Sequence, residues 1–307
     1  MPGGSRAGSR GASPRRVHVP GRAHEPGERA PGRRPGVGNT LLVVEEAKEP
    51  RAHPEAGSDV ELTFVIPYYN PGPAFGGVVA QVSGELSKTG LTFEVIAVSD
   101  GSTDGSDSSV EARAALAAPG VRKLALTNHQ GKGGALRAGL EQGRGRYLGF
   151  IDADGDLPAA LLGDFVSAIR RGDVDIVAGS KRHPASEVAY PLLRRMYSWG
   201  FQQLSALLFG LRVRDTQTGL KVVRREVLEA VLPHMVEKRY VFDLELLVLA
   251  RELGFDRLSE LPVRIERKFG STISPLAVAG ILIDTLALWW RLRVRRSYVG
   301  LGNRPGS

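Results

Sequence analysis

From residue 62 onward, short and nearly uninterrupted apolar runs alternate with amphipathic stretches, and nothing else in this chain restricts its fold as much. The runs at 62–67, 93–99, 121–126, 147–151 and 175–179 have strand length and are rich in β-branched residues. A strand that is apolar at successive positions must be covered on both faces, because neighbouring side chains point to opposite sides of a sheet. The stretches between them, 78–88, 106–116, 134–142 and 158–170, read as helices. Alternation on this scale predicts an α/β fold, a doubly wound and mostly parallel sheet. In open sheets of this kind ligands bind beyond the C-terminal ends of the strands. Four polar clusters fall at those ends: Tyr68-Tyr69-Asn70, Asp100-Gly101-Ser102-Thr103-Asp104, Asn128-His129-Gln130-Gly131-Lys132 and Asp152-Ala153-Asp154. Their coincidence predicts an enzyme.

The flanks differ in character. Residues 1–58 are crowded with Arg, Gly and Pro, and their one apolar run, 41–44, is too short for a core. Such a segment cannot bury enough surface to offset chain entropy, so a disordered tail is expected there. A secretory signal needs an apolar stretch of about 7 to 15 residues near the start, and none is expected here; a transit peptide or an over-extended start fits the basic leader. The compact domain is placed at 59–274. Beyond it, 275–307 contains an apolar segment, 276–296, in which Trp289-Trp290 precede Arg291, Arg293, Arg295 and Arg296. Its stretch up to Trp290 is shorter than the roughly 20 apolar residues of a spanning helix, and Asp284 interrupts it. Tryptophans followed by arginines suit a helix lying in a headgroup layer; a core helix with a basic end is the competing reading. Two further helices are expected at 190–208 and 241–253. The absence of cysteine excludes disulfides and thiolate zinc. A net charge of +8 favours anionic partners, with nucleic acid ranked last, since basic and aromatic residues do not interleave on the candidate strands.

The acidic cluster after the 147–151 run carries the chemistry. Asp152 and Asp154 at the end of a buried strand sit at an edge or hold a cation, because an unpaired carboxylate inside an apolar core costs several kcal/mol or more. Mg²⁺ and Mn²⁺ take one or two carboxylates and let substrate phosphates complete the shell. A solvated turn before a helix opened by Pro158 is the bland alternative. Asp100 has the reach to accept a hydrogen bond from a uracil imide or a guanine amino edge, while Asp104 fits a turn or helix cap. Gly131-Lys132-Gly133-Gly134 opens a helix, where free N–H groups attract anions, although its spacing matches neither a dinucleotide fingerprint nor a P-loop. Lys181, Arg182, Arg194 and Arg195 form a second basic concentration suited to another phosphate, or simply a basic face. Arg267-Lys268-Phe269-Gly270-Ser271 is a basic loop placed to close over a diphosphate.

In their order, Tyr69-Asn70, Asp100-Gly-Ser-Thr-Asp104, Asn128 with Gly131-Lys132-Gly133, Asp152-Ala-Asp154, Asp215-Thr-Gln-Thr-Gly219-Leu-Lys221, Phe242-Asp-Leu-Glu245 and Gly270-Ser271 resemble family 2 glycosyltransferases. The likeness is greatest to polyprenyl- or dolichyl-phosphate hexose synthases and runs over about 62–296. The resemblance implies one GT-A-type domain, a nucleotide-sugar donor, a divalent cation (Mg²⁺ or Mn²⁺) and inversion at the anomeric carbon. By position, Pro67, Tyr69 and Asp100 would frame base and ribose, with Asn70 and Lys132 also on the donor. Asp152 and Asp154 would hold metal and diphosphate, with Asp156 able to complete the shell. Lys181 or Arg182, Arg194 and Ser198 resemble acceptor-phosphate contacts. Asp215, Gln217 and Glu245 would line the sugar side, and Lys268 resembles a mobile diphosphate contact. Pro71 departs from the family, which usually has Glu after Tyr-Asn.

A phosphate monoester acceptor has a second pKa of about 6, so it is already an anionic nucleophile at neutral pH, and no strong general base is required. The expected activity is transfer of a single hexose, from UDP-glucose first and GDP-mannose second, to a polyprenyl or dolichyl phosphate, by a peripheral protein on the cytoplasmic face of a membrane. Transfer to a glycan hydroxyl, which requires Asp215 or Glu245 as base, and a catalytically silent adaptor are the alternatives.

Overall fold

The computed structural model describes residues 42–43, 59–188, 192–237, 239, 241–265 and 275–294, with backbone alone at 42–43, 192–195 and 275–277. Among the described residues eight strands form one sheet in the order β1-β4-β3-β2-β5-β7-β6-β8. These are β1 (Leu42–Val43), β2 (Leu62–Tyr68), β3 (Phe93–Ser99), β4 (Val121–Leu126), β5 (Tyr147–Ile151), β6 (Ile176–Ser180), β7 (Leu220–Arg224) and β8 (Leu258–Pro262). Strands β2, β3, β4 and β5 run parallel, as do β6 and β8. Strand β7 is antiparallel to both β5 and β6, and β1 is antiparallel to β4. The mostly parallel, doubly wound expectation therefore holds. After β4 the chain crosses back to place β5 on the other side of β2, which makes a topological switch point between β2 and β5, where open α/β sheets bind ligands.

Alternation along the strands builds two cores. Leu62, Phe64 and Ile66 of β2 face one side, with Tyr147 and Ile151 of β5. Val65 faces the other, with Leu148 and Phe150. The first layer is closed by α1 (Phe75–Ser87), α2 (Val110–Leu116) and α4 (Leu162–Arg170). The second is closed by α3 (Lys132–Gln142), α6 (Arg225–Val231), α7 (Phe242–Glu252), the C-terminal end of α5 (Leu192–Phe209) and one face of α8 (Pro275–Arg293). Each fully buried Phe, Leu or Ile contributes roughly 1.5–3 kcal/mol, so the continuous apolar pattern of β2 and β5 dictates coverage on both faces. The helix expected over 106–116 divides in two. Gly105 takes φ +70, a short 3-10 turn follows at Ser106–Ser108, and α2 starts only after Ser109, whose hydroxyl accepts the Ala112 N–H.

The two tryptophans of α8 separate. Trp289 packs against the core, whereas Trp290 is 53% exposed. Exposed Leu282, Leu286, Trp290 and Val294 recur every fourth residue, with Ile283 beside them, which is one stripe of a helix. Among the described residues no helix is long and apolar enough to cross a membrane.

At the N-terminal end of the strands, away from the switch point, Glu94 is 2% exposed and ties three segments together. Its carboxylate accepts from the Thr63 hydroxyl at 2.8 Å, the Arg144 amide at 2.6 Å and the Arg144 and Arg122 guanidinium groups at 3.0–3.3 Å. Burial alone would raise its pKa, but the Arg144 amide and the two guanidinium charges outweigh burial and hold it below the usual carboxylate range. A depressed folded pKa adds stability that is present above the unfolded pKa and is lost as pH falls through the folded one. Glu94→Gln is expected to cost on the order of 2 kcal/mol near neutral pH, less than a fully buried pair because both arginines are about a third exposed. The loss should shrink on acidification, as urea melts at pH 7 and pH 3.5 will read.

Candidate active site

Pro67, Tyr69, Asp100, Lys132, Asp152, Asp154, Gln217 and Asp243 are among the residues lining a cleft of about 940 Å³ at the C-terminal ends of β2, β3 and β5. One wall is aromatic: Tyr69 is 49% exposed and lies against the His129 ring with centroids 4.3 Å apart. Asn70, in the left-handed region at φ +47, turns the chain here. Its side-chain oxygen accepts the Thr103 and Asp104 amides, and its own N–H donates to the Ser102 hydroxyl. Asp104 in turn accepts from Gly72 and Ser106, the turn role expected of it.

Asp100 is buried behind this wall. Its two carboxylate oxygens accept the Gln130 and Gly131 amides at 2.7 and 2.8 Å, and the His129 Nδ1 lies 2.9 Å away. Burial raises its pKa despite these donors. Asp100 thus occupies two amides at the start of α3 that an external anion would otherwise use, because a carboxylate of the chain itself satisfies them first. Lys132 follows as the first residue of α3 and projects its ammonium into the cleft.

That ammonium joins a row of alternating charges. Lys132 Nζ is 2.7 Å from Asp152 Oδ1 and 3.6 Å from Asp243 Oδ2. Asp243 Oδ1 accepts from Lys221 Nζ at 2.6 Å. Lys221, on β7, is wholly buried, and its other two protons go to the Thr216 and Thr218 carbonyls at 3.2 and 2.9 Å. All three ammonium donors are spent, so Lys221 is a structural cation. Burial would lower the Lys132 pKa, but the Asp152 and Asp243 carboxylates override it and keep the ammonium charged. Asp243 shows the mirror case: burial would raise it, and the Lys221 and Lys132 charges hold it below its ordinary value. Asp152 stays raised, by burial above all.

Strand β7 sets the room for Asp152. Asp152 N–H donates to the Gly219 carbonyl at 3.1 Å, and a Cβ on Gly219 would stand 1.8 Å from Asp152 Oδ2. Only glycine leaves the carboxylate its position. Asp154 accepts the Asp156 amide at 3.0 Å. Among the described residues no three acidic or histidine side chains converge as a metal shell, so the expected trio of Asp152, Asp154 and Asp156 is not assembled. The aspartate spacing makes a tight turn, and Asp156 meets Asp154 through its backbone. The donor set of Asp152 and Asp154 still fits a hard cation whose shell is completed by phosphates and water. Lys132 already seats a positive charge against Asp152.

Asp215 and Glu245 are not among the residues lining the cleft. Asp215 accepts from the Gln217 and Lys181 amides and the Thr218 hydroxyl at 2.6–3.0 Å, which shapes the turn that brings Gln217 to the cleft. The Gln217 side-chain nitrogen is buried and without a hydrogen-bond partner among the described residues. Glu245 accepts the Val236 and Glu237 amides at 2.8–3.1 Å and so fixes the segment that carries Arg239 to the rim. The acceptor candidates Lys181, Arg182 and Ser198 also stand outside the lining, although an Arg182 N–H reaches the Ser198 carbonyl at 3.3 Å and joins β6 to α5. The Arg194 side chain and Lys268 lie outside the described residues. Sequence reasoning missed Asp243, Arg239 and Lys221 as site residues. Asp243 sat within a motif already noted, but residues two apart on a helix point to nearly opposite sides, and Glu245 was chosen in its place.

The family model described as glycosyl transferase family 2 matches residues 63–232. Glycosyltransferase AglD of Haloferax volcanii is 31% identical over 252 residues, which cover 81% of this chain and 40% of that protein. A dolichyl-phosphate beta-glucosyltransferase of Drosophila melanogaster is 31% identical over 234 residues, 72% of each chain. The crystal structure of glucosyl-3-phosphoglycerate synthase from Mycobacterium tuberculosis with Mn²⁺, UDP-glucose and phosphoglyceric acid superposes with a TM-score of 0.56 at 20% identity, over 75% of this chain and 79% of that one. The fold is of the GT-A type.

The charge row makes its own prediction. Lys221→Met should cost about 3–5 kcal/mol, as expected when one member of a buried pair is removed. Adding Asp243→Asn should recover part of that loss. Chemical denaturation of the two single variants and the double variant gives the coupling; strictly additive losses would mean that the pair is not coupled.

Proposed function

The chain belongs to glycosyl transferase family 2, and on that premise we propose that it transfers one hexose, with inversion, from a nucleoside-diphosphate sugar to a polyprenyl or dolichyl phosphate. UDP-glucose is the first-choice donor and GDP-mannose the second. The observation that carries this reading is the meeting of Asp152, Asp154 and Lys132 beneath the Tyr69 wall at the switch point. Relatives named dolichyl-phosphate beta-glucosyltransferase support glucose and the lipid phosphate.

In this reading the base lies against Pro67, Tyr69 and His129, with Asp100 behind. Asp152 and Asp154 would hold Mg²⁺ or Mn²⁺ for the donor diphosphate. The bound cation supplies charge stabilisation to the departing diphosphate. Lys132 adds a positive charge from the α3 side, and the Gln217 amide offers its unspent donor to the sugar. Lys181, Arg182, Arg194 and Ser198 receive the acceptor phosphate, and Lys268 closes on the diphosphate. A phosphate oxygen attacks the anomeric carbon as the bond to the diphosphate breaks, and no proton has to be removed from the nucleophile. The exposed α8 stripe of Leu282, Leu286, Trp290 and Val294 is the surface that meets the bilayer holding the acceptor, with the protein peripheral on its cytoplasmic face.

Transfer to a glycan hydroxyl has less support. The two carboxylates available as base, Asp215 and Glu245, are spent on backbone amides.

The full chain with Mn²⁺ is expected to convert radiolabelled UDP-glucose, faster than GDP-mannose, into organic-extractable product when given dolichyl phosphate. Asp152→Asn and Asp154→Asn should each lower turnover about 100-fold or more with unchanged circular dichroism. Retained turnover in both would reduce the acidic cluster to a turn. Preference for soluble sugar acceptors would favour the hydroxyl reading, and inertness with every donor an adaptor.

A further inference from the structure

The Lys132 ammonium has two carboxylate seats rather than one. It is bonded to Asp152 at 2.7 Å, while Asp243 waits at 3.6 Å, itself fixed by the immobile Lys221 at 2.6 Å. A lysine side chain turns on a flexible stem and carries a point charge, so a shift of its ammonium toward Asp243 or toward an incoming phosphate frees Asp152 without leaving the cation unpaired. The Asp152 backbone is held in place by its N–H on the Gly219 carbonyl at 3.1 Å, with the carboxylate packed against Gly219.

We propose that Lys132 is a resident counter-cation of Asp152 that a divalent metal must displace, and that a nucleoside diphosphate promotes the displacement by giving Lys132 a new anion. Metal and diphosphate then bind with positive coupling: each raises the affinity of the other by the same factor, as linkage requires. The free protein takes up metal weakly, and the nucleotide makes the metal site. This inference rests on the reading of Asp152 and Asp154 as the metal-diphosphate site and adds the order in which that site is completed.

Free Mn²⁺ measured by electron paramagnetic resonance tests the coupling without turnover. Titrations of the full chain are run with and without UDP or GDP. In Lys132→Met, Mn²⁺ should bind roughly tenfold or more tighter than in the wild type in the absence of nucleotide, within the range typical of coupled sites. The enhancement by nucleotide should shrink by a similar factor. Lys132→Arg, which keeps the charge, should retain weak binding and strong enhancement. Lys88→Met, the same loss of charge at an exposed position just after α1, should change neither. Equal or weaker Mn²⁺ binding in Lys132→Met, alongside a wild type that binds Mn²⁺ with nucleotide, overturns the counter-cation role alone. A wild type that takes no Mn²⁺ even with UDP and GDP overturns both this role and the metal-diphosphate reading.

Discussion

The row Lys221, Asp243, Lys132 and Asp152 is where four parts of the fold meet. Lys221 comes from the antiparallel strand β7, Asp243 from the start of α7, Lys132 from the first residue of α3 and Asp152 from the end of β5. Lys221 and Asp243 would not be stable as ions without each other, since an isolated buried ion costs several kcal/mol, whereas Lys132 and Asp152, about a quarter exposed, pair at the cleft. Lys221, with no exposed surface, is the fixed end, and Asp152, at the cleft, is the end left free to exchange its partner. The Thr216–Thr218 carbonyls that complete the Lys221 shell also shape the turn bearing Gln217 and Gly219. Removing the buried lysine would therefore disturb the placing of Gln217 and the room of Asp152 together.

The two ends of the sheet divide stability from chemistry. At the N-terminal end the Glu94 carboxylate is saturated by Thr63, Arg144 and Arg122. At the C-terminal end the groups are, among the described residues, less completely paired: Asp152 has one close cation, Gln217 has a donor without a partner, and the packed rings of Tyr69 and His129 are about half exposed. Saturated networks rigidify a scaffold, and unspent capacity beside them is what a ligand uses. Asp215 and Glu245 belong with the first kind although they lie near the second. Each gives its oxygens to backbone amides and positions another residue, Gln217 in one case and Arg239 in the other.

How much of this was legible depended on whether the cause was local. Strands β2 to β6 were readable to within a residue or so; in β2, β3, β5 and β6 coverage on both faces forces apolar side chains at most positions, and β4 was placed although Arg122 and Lys123 interrupt its run. Strands β7 and β8 were not. Leu220–Arg224 contains Lys221 and Arg224, and Leu258–Pro262 contains Ser259 and Glu260, so neither carries that pattern. Lys221 looks like a surface residue in sequence, and its burial follows from a partner 22 positions away. The clusters at the strand ends were legible as locations, since the switch point collects them. Their roles were less so: Asp100 and Asp215 are taken up by amides that only the folded loops bring within reach. The Trp289-Trp290 pair was expected to act as a unit, yet adjacent helical residues diverge by about 100°, which sends one into the core and the other outward.

As proposed, the cleft is a nucleoside-diphosphate site in which Asp152 exchanges Lys132 for a metal. A crystal structure of the full chain with UDP and Mn²⁺, phased to give anomalous signal, addresses it directly. The expected result is a manganese peak bonded to oxygens of Asp152 or Asp154 and of the diphosphate, the uracil against Tyr69, and the Lys132 ammonium withdrawn from Asp152. UDP bound in the cleft with the Lys132–Asp152 pair intact and no manganese at either aspartate would contradict it.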